Sequence, residues 1–163
     1  MTVVVRRATK EDAPAIADYA LKLFAQHRSY DAVRLADFSN AEGASWWYGS
    51  RAEADTAAVF VAEVEGKTVG FAYCEYESVD YAALLENAVW LHDIYVDEAA
   101  RKHGAGELLI EAAVEATREF GASKLMLGVA AQNSVAQKFF ERAGFRTTMF
   151  EMMLPLPEKR SND

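Results

Sequence analysis

The stretch LHDIYVDEAARKHGAGELL, residues 91–109, decides the fold more than any other part of the chain. It predicts a strand, a short turn that contains Gly104 and Gly106, and then the start of an amphipathic helix. Glycines let the backbone approach a ligand closely, and the amides of residues 102–106 fall where the free N–H groups of a helix N-terminus point outward. The stretch therefore predicts a cradle for a phosphate group.

A second motif, NSVAQKFFERAGF, follows at residues 133–145. Together the two motifs resemble the signatures of the GNAT superfamily of acetyl-CoA-dependent N-acetyltransferases. The first signature has the pattern R/Q-x-x-G-x-G/A, which Arg101, Gly104 and Gly106 match. The residues that match the second signature are Asn133, Ala136, Phe139, Gly144 and Phe145. Phe140 departs from it, because many relatives have a tyrosine there. The segments VRRATKED, residues 5–12, and VAEVEGKTVGF, residues 61–71, also resemble that family.

Hydrophobic periodicity and turn signals predict a mixed α/β sandwich. The resemblance implies a central mixed, mostly antiparallel sheet that splays between strands four and five, with helices on both faces. The predicted strands cover residues 3–7, 56–65, 68–77, 88–96, 124–130 and 147–154. The predicted helices cover residues 10–26, 41–49 and 133–143, and a further helix follows the glycine turn and ends at Gly121. We expect one N-acetyltransferase domain over residues 1–156 and a polar tail over residues 157–163. The single long strand after the last helix leaves the completion of the sheet edge open, so we expect a possible homodimer.

Composition limits the function classes. The 163 residues fit one domain, and 52% hydrophobic residues with 26% charged residues are typical of a globular protein. The N-terminus lacks a signal-peptide core and no apolar run is long enough to cross a membrane, so we expect a cytoplasmic protein without a membrane partner. A formal net charge of −8 argues against nucleic-acid binding. One cysteine, Cys74, and three scattered histidines argue against a metal site.

The resemblance implies a set of residues that bind acetyl-CoA. Backbone groups of Ile94, Tyr95 and Val96 would pair with the pantetheine arm, and one of their amides would polarise the thioester carbonyl. The residues that would surround the pyrophosphate are Arg101, Lys102, His103, Gly104, Ala105, Gly106 and Glu107. Asn133 would bind pantetheine through its side-chain amide or would only cap its helix, and both interpretations stay open. Phe140 completes the cofactor set.

Catalysis requires loss of a proton, because at pH 7 only about one alkylamine molecule in a few thousand is unprotonated. His92 and Asp93 lie where the resemblance places acidic groups that deprotonate the amine, and a histidine side chain can serve as the base. His92 can equally be a sheet histidine without a catalytic part. Phe140 cannot protonate a departing thiolate, so Tyr95, another tyrosine or a water molecule would do so, or no acid is needed.

The resemblance places His27 and Tyr30 with His92 and Asp93 in the acceptor pocket. The leading hypothesis is an N-acetyltransferase that acts on a primary amine of a small molecule, such as a polyamine or an amino-acid derivative. Protein N-termini or lysines are an alternative acceptor. The chain could instead be a binding protein and not an enzyme, namely a non-catalytic acyl-CoA-binding module. This hypothesis is motivated by Phe140 in place of a tyrosine and by His92 in place of an acidic residue.

Overall fold

The structure, a computed structural model, describes residues 1–159 and 161. The strands of these residues are β1 Val3–Arg7, β2 Ala57–Val64, β3 Lys67–Asp80, β4 Leu85–Val96 and β5 Lys124–Met126. The helices are α1 Ala13–Tyr30, α2 Ala41–Ala52, α3 Ala105–Glu119 and α4 Ser134–Arg142. Short 3₁₀ turns at Lys10–Asp12 and Glu98–Ala100 precede α1 and α3. None of the helices in this part of the chain is long and apolar enough to span a membrane.

The strands of the described residues form one sheet in the order β1-β2-β3-β4-β5. β1 to β4 are antiparallel, and β5 runs parallel to β4. Pairing between β4 and β5 covers only Ala88 to Trp90, although β4 continues to Val96. The two strands therefore separate beyond Trp90, and the predicted fold class with its splayed sheet is confirmed.

Two apolar clusters pack on opposite faces of the sheet, which explains why the central strands are apolar on both sides. On one face, Leu109, Ala113 and other residues of α3 pack with Leu91 of β4 and Phe140 of α4. On the other face, Ile16 of α1 and Tyr48 of α2 pack with β2 and β3. We call these the α3/α4 face and the α1/α2 face. The sheet is thus a central layer with helices on both sides.

Local contacts mark several helix ends, although α1 and α2 end at Tyr30 and Ala52 and not at residues 26 and 49 as predicted. The Thr9 N–H donates to Asp12 Oδ2 at 2.8 Å, which forms part of a capping box before α1. Gly121, at φ +73°, follows the last turn of α3 in the left-handed conformation that glycine adopts without strain. Asn133 caps α4, with its Oδ1 accepting from the Ala136 N–H at 3.1 Å.

The predicted final strand over residues 147–154 is wrong, because none of these residues is in a strand or helix. The fifth strand also ends at Met126 and does not reach residue 130 as predicted. A strand forms only with a hydrogen-bonding partner, and within residues 1–159 and 161 no strand pairs with the outer edge of β5. The predicted polar tail, residues 157–163, lies in part outside the described residues.

Candidate active site

The turn before α3 presents free backbone N–H groups. The first hydrogen bond of the helix runs from the Leu108 N–H to the Gly104 carbonyl at 3.0 Å. The amides of Ala105, Gly106 and Glu107 precede that bond, so they have no partner inside the helix. The helix dipole adds partial positive charge at the same end. This terminus can therefore bind an anion through backbone donors alone.

Two glycines shape this turn for different physical reasons. Gly104 has φ +83°, a conformation that other residues adopt only with strain, and a Cβ placed there would have no heavy atom within 4 Å. Open space thus lies beside Gly104, at the N-terminus of α3. At Gly106 a Cβ would approach Phe139 Cζ to 3.0 Å, so the absence of a side chain lets α3 pack closely on α4.

The charged and polar side chains of the turn are exposed to solvent. Arg101, Lys102, His103 and Glu107 are exposed, whereas Ala105 is buried and can offer only its backbone. The Arg101 Nε donates to the Val96 carbonyl at 2.9 Å, and its guanidinium lies 5.5 Å from the centre of the Tyr95 ring. The predicted anion-binding residues are therefore contiguous around the helix terminus, and Arg101 also ties the turn to β4.

The second half of β4 has an unpaired backbone edge beside this turn. β5 pairs with β4 only as far as Trp90, while β3 pairs with β4 up to Val96. Because the Asp97 N–H bonds to the Val69 carbonyl on the β3 side, the alternation of an antiparallel strand turns the N–H and C=O groups of Ile94 and Val96 outward, where Arg101 already occupies the Val96 carbonyl. An extended ligand could add to this edge as another strand would.

A β-bulge brings His92 and Asp93 to the same face of the sheet. Tyr73 pairs with Asp93 and Cys74 pairs with Leu91, so His92 is the extra residue of β4. Neighbouring residues of a regular strand point to opposite faces, but here both side chains reach the α1/α2 face. The Asp93 carboxylate contacts α2, and the His92 ring stacks on Tyr73 at 5.4 Å between ring centres.

Asp93 lies at the centre of a polar cluster at this face. The Tyr48 hydroxyl donates to Asp93 Oδ2 at 2.7 Å. Burial raises the pKa of Asp93 above its ordinary value, and the Tyr48 hydrogen bond and the positive charges of His92 and His27 oppose that rise. Burial also lowers the pKa of His27, on α1, while Asp93 acts in the opposite direction. The predicted acceptor residues His27, His92 and Asp93 are thus electrostatically coupled.

An aromatic wall continues from this cluster along β3 and β4. His92 stacks between Tyr73 and Trp90, whose ring centre is 6.4 Å from His92, and Trp47 meets Tyr73 edge to face at 6.4 Å. Glu75 lies at the same face, where it accepts from the hydroxyl groups of Tyr73 and Thr56 at 2.6 Å each. The Arg51 guanidinium pairs with Glu75 at 3.4 Å and lies 4.9 Å from the centre of the Trp47 ring, so this carboxylate already has a cationic partner. The wall therefore offers a ligand flat rings, which can also attract a cation.

The candidate proton donors differ in their surroundings. Tyr73 is committed as a donor to Glu75, and burial raises its pKa. Tyr30 ends α1, with its hydroxyl accepting from Gln26 at 3.1 Å. Tyr95 stacks at 5.6 Å from Tyr19 on the α1/α2 face. Phe140, at 8% exposure, packs edge to face against the rings of Phe139 and Phe145.

Sequence reasoning missed Tyr48, Glu75 and the aromatic wall. The sequence predicts that the two large apolar rings of Trp46 and Trp47 seal the helix over residues 41–49 onto the core. That prediction is wrong for Trp46, which is 71% exposed, and Tyr48 is the buried residue of this helix, at 1% exposure. The signal that could have identified Tyr48 is weak, because three consecutive aromatic residues on a helix leave open which one faces inward. The bulge at His92 has no local sequence signal.

Several named proteins are similar to this chain in sequence. Residues 17–145 match the acetyltransferase (GNAT) family. An uncharacterized N-acetyltransferase of Methanocaldococcus jannaschii is 31% identical over 144 residues, which cover 88% of this chain and 61% of that protein. The uncharacterized N-acetyltransferase YhfO of Bacillus subtilis is 31% identical over 95% of this chain and 99% of its own length. A 5-NmdU N-acetyltransferase of Pseudomonas phage PaMx11 is 32% identical over 88% of this chain and 86% of its own length.

The same fold occurs in a solved structure. The aminoglycoside N-acetyltransferase AAC(6')-Iy in complex with CoA superposes with a TM-score of 0.78 at 18% identity, over 95% of each chain. This likeness concerns the fold, whereas the family match and the relatives above 30% identity concern the sequence. The chain therefore belongs to the acetyltransferase (GNAT) family of acyltransferases.

Proposed function

We propose that the protein transfers the acetyl group of acetyl-CoA to a primary amine of a small molecule. One observation carries the proposal: the unpaired edge of β4 runs from the free amides of α3 to the cluster around Asp93. An anion site, an extended backbone edge and a buried carboxylate thus follow one another along a single path. Bound acetyl-CoA and its acceptor would follow the same order, with the nucleotide anion first, the pantetheine arm next and the amine last.

The residues fit the two parts of acetyl-CoA that a protein must hold, namely the pyrophosphate and the pantetheine arm. The amides of Ala105, Gly106 and Glu107, beside the open space at Gly104, suit the pyrophosphate. The outward backbone groups of Ile94 and Val96 suit the amides of pantetheine. Asn133 uses its Oδ1 as the helix cap, so its Nδ2 can donate to pantetheine and both interpretations of this residue hold together.

The chain's own groups then perform the transfer. Acetyl-CoA supplies an acetyl thioester, whose carbonyl carbon the amine attacks. The Asp93 carboxylate attracts the ammonium form of the amine, and His92, exposed beside it, accepts the proton that must leave. An outward N–H of β4 donates to the carbonyl oxygen as negative charge develops there. No acid acts at Phe140, because a CoA thiol is acidic enough to leave as the thiolate.

The acceptor surface supports a small cationic amine, preferably one that carries a ring. The wall of Trp90, His92 and Tyr73 offers flat apolar contacts, and Asp93 adds a carboxylate beside it. One relative is named for 5-NmdU and the superposed structure for aminoglycosides. A protein N-terminus or lysine is the alternative acceptor.

We also propose that the protein acts in the cytoplasm as a single domain over residues 1–156, as its composition suggests.

The test is release of CoA thiol from acetyl-CoA in the presence of single amines: a polyamine, an amino-acid amide, an aminoglycoside, an aminomethyl nucleoside and a lysine peptide. We expect amine-dependent thiol release with at least one of the small molecules, and mass spectrometry should identify the acetylated amine. Asp93→Asn should lower this rate strongly, whereas the matched change Asp80→Asn, at the far end of β3, should not. Thiol release that no amine accelerates would contradict the proposal, and acceleration by the peptide alone would replace the small-molecule acceptor with a protein.

A further inference from the structure

Most of the hydrogen-bonding capacity of Arg51 is unused. This residue lies in the last turn of α2, and its side chain is 26% exposed. Within the part of the chain that the structure describes, its guanidinium makes one polar contact, from Nη1 to Glu75 Oε1 at 3.4 Å. The Nε atom is buried without a hydrogen-bond partner among these residues, and Nη2 donates to none of them. Because a guanidinium has five N–H donors, Arg51 can bind a further acceptor group.

The Glu75 carboxylate, in contrast, already has several donors. The Thr56 hydroxyl donates to its Oε1 and the Tyr73 hydroxyl donates to its Oε2, each at 2.6 Å. Arg51 adds only the longer contact to Oε1. Two short bonds therefore hold the carboxylate in place, while the guanidinium offsets its negative charge. A second ammonium group of a ligand would meet a positive charge here, whereas an anionic group would meet free donors.

Packing holds the guanidinium at the α2 end of the aromatic wall. Its carbon Cζ lies 4.9 Å from the centre of the Trp47 ring, and that ring meets Tyr73 edge to face at 6.4 Å. Tyr73 pairs with Asp93, and Glu75 follows two residues later along β3. Because a strand rises about 3.4 Å per residue, the pair of Arg51 and Glu75 lies about 7 Å further along the sheet than Asp93. One ligand on the wall can therefore reach both ends.

We propose that Arg51 binds an anionic group of the acceptor, a carboxylate or a phosphate that lies roughly 7–9 Å from the primary amine. The planar fork of a guanidinium suits the paired oxygens of such a group. Arg51 thereby selects an acceptor that carries one amine and one anionic group, and it disfavours a second ammonium group such as that of a polyamine. This inference rests on the proposed function, because it takes the amine to lie at Asp93.

Three amines with the same ring test the site: para-(aminomethyl)phenylacetate, para-bis(aminomethyl)benzene and para-methylbenzylamine. Opposite the amine they carry a carboxylate, a second ammonium and a methyl group. Titration calorimetry in the presence of CoA measures their affinities for the unmodified protein. We expect the carboxylate compound to bind about 10-fold to 100-fold more tightly than the other two, as charge-assisted hydrogen bonds provide. Equal affinities, a preference for the diamine, or no detectable binding would overturn the proposal.

Variants of Arg51 assign that preference to its guanidinium. Arg51→Met removes the donors and should lower the affinity for the carboxylate compound about 10-fold to 100-fold. The diamine should bind this variant more tightly, because Glu75 then lacks its cation, and the methyl compound should bind as before. Arg51→Lys should restore only part of the carboxylate affinity, since an ammonium lacks the planar fork.

Arg142→Met is the matched control. Arg142 is exposed on α4, which packs on the other face of the sheet, so this change should alter none of the three affinities. Circular dichroism checks that all variants are folded. A carboxylate preference that survives in Arg51→Met, or one that Arg142→Met also abolishes, would contradict the role of Arg51.

Binding and transfer are measured separately. The proposed function fails if no amine releases CoA thiol from acetyl-CoA. The Arg51 site fails if the protein shows no preference for the carboxylate compound in calorimetry, whether or not transfer occurs. The two failures therefore give different results.

Discussion

Replacing Tyr48 with phenylalanine removes one hydroxyl from the polar cluster and leaves the ring in place. That hydroxyl donates to Asp93 Oδ2 at 2.7 Å, and the residue is 1% exposed. A hydrogen bond to a charged group contributes about 1.5–3 kcal/mol, and a neutral one about 0.5–1.5 kcal/mol. Because the bond is stronger to the ionised form, its loss should raise the pKa of Asp93 further.

The effect on stability has a defined sign. Because burial already raises the pKa of Asp93, the folded protein binds this proton more tightly than the unfolded chain. The contribution of Asp93 to stability is therefore greatest below its unfolded pKa, about 3.9, and it declines as the pH rises through the higher folded value. Tyr48→Phe raises the folded pKa further and so widens the pH range over which stability declines. The variant should therefore lose about 1.5–3 kcal/mol of unfolding free energy at neutral pH and less near pH 4.

Urea denaturation at neutral pH and near pH 4 measures the loss of unfolding free energy under each condition. Tyr76→Phe is the control, because its hydroxyl lies 3.2 Å from the neutral Oδ1 of Asn87, so its loss should not depend on pH. If ionised Asp93 attracts the amine, the acid limb of kcat/KM should also move to higher pH in Tyr48→Phe. Equal destabilisation at both pH values, with an unmoved acid limb, would refute the assignment of charge to Asp93.

Three further predictions concern His92, Phe140 and Cys74. His92→Ala should lower turnover about 10²–10⁴-fold with little change in acetyl-CoA affinity, and unchanged steady-state turnover would show that the histidine is structural. Phe140→Tyr should raise turnover less than about tenfold in the same assay, since no step awaits a proton at this position; a larger gain would mean that the missing acid limits the rate. Burial raises the pKa of the Cys74 thiol to about 12, so an aromatic disulfide reagent at pH 8 should label it only after unfolding in urea, and rapid labelling of the folded protein would contradict its burial.

The sequence was most informative where structure follows from nearby residues. The glycine turn, the cap at Asn133 and the end of α3 at Gly121 all depend on contacts within about four positions. The splayed sheet followed from the family resemblance and not from periodicity. These local features are enough to locate the predicted anion site from the order of residues along the chain.

The acceptor side could not be predicted in the same way. The bulge that turns His92 and Asp93 to one face depends on the register between β3 and β4, which no local pattern specifies. The Tyr48 contact joins residues 45 positions apart, and only the packing of α2 on the sheet brings them together. Residues 147–154 show the converse limit, because their pattern predicts a strand but the structure forms none there.

Titration calorimetry of acetyl-CoA against Gly104→Glu tests the central claim most directly. A side chain at Gly104 would occupy the open space at the N-terminus of α3, and its negative charge would repel the pyrophosphate. Gly121→Glu is the matched control, because Gly121 has a similar φ of +73° but lies at the other end of the same helix. The account predicts that acetyl-CoA binds the unmodified protein and Gly121→Glu alike and does not detectably bind Gly104→Glu. Undiminished affinity in Gly104→Glu would contradict it.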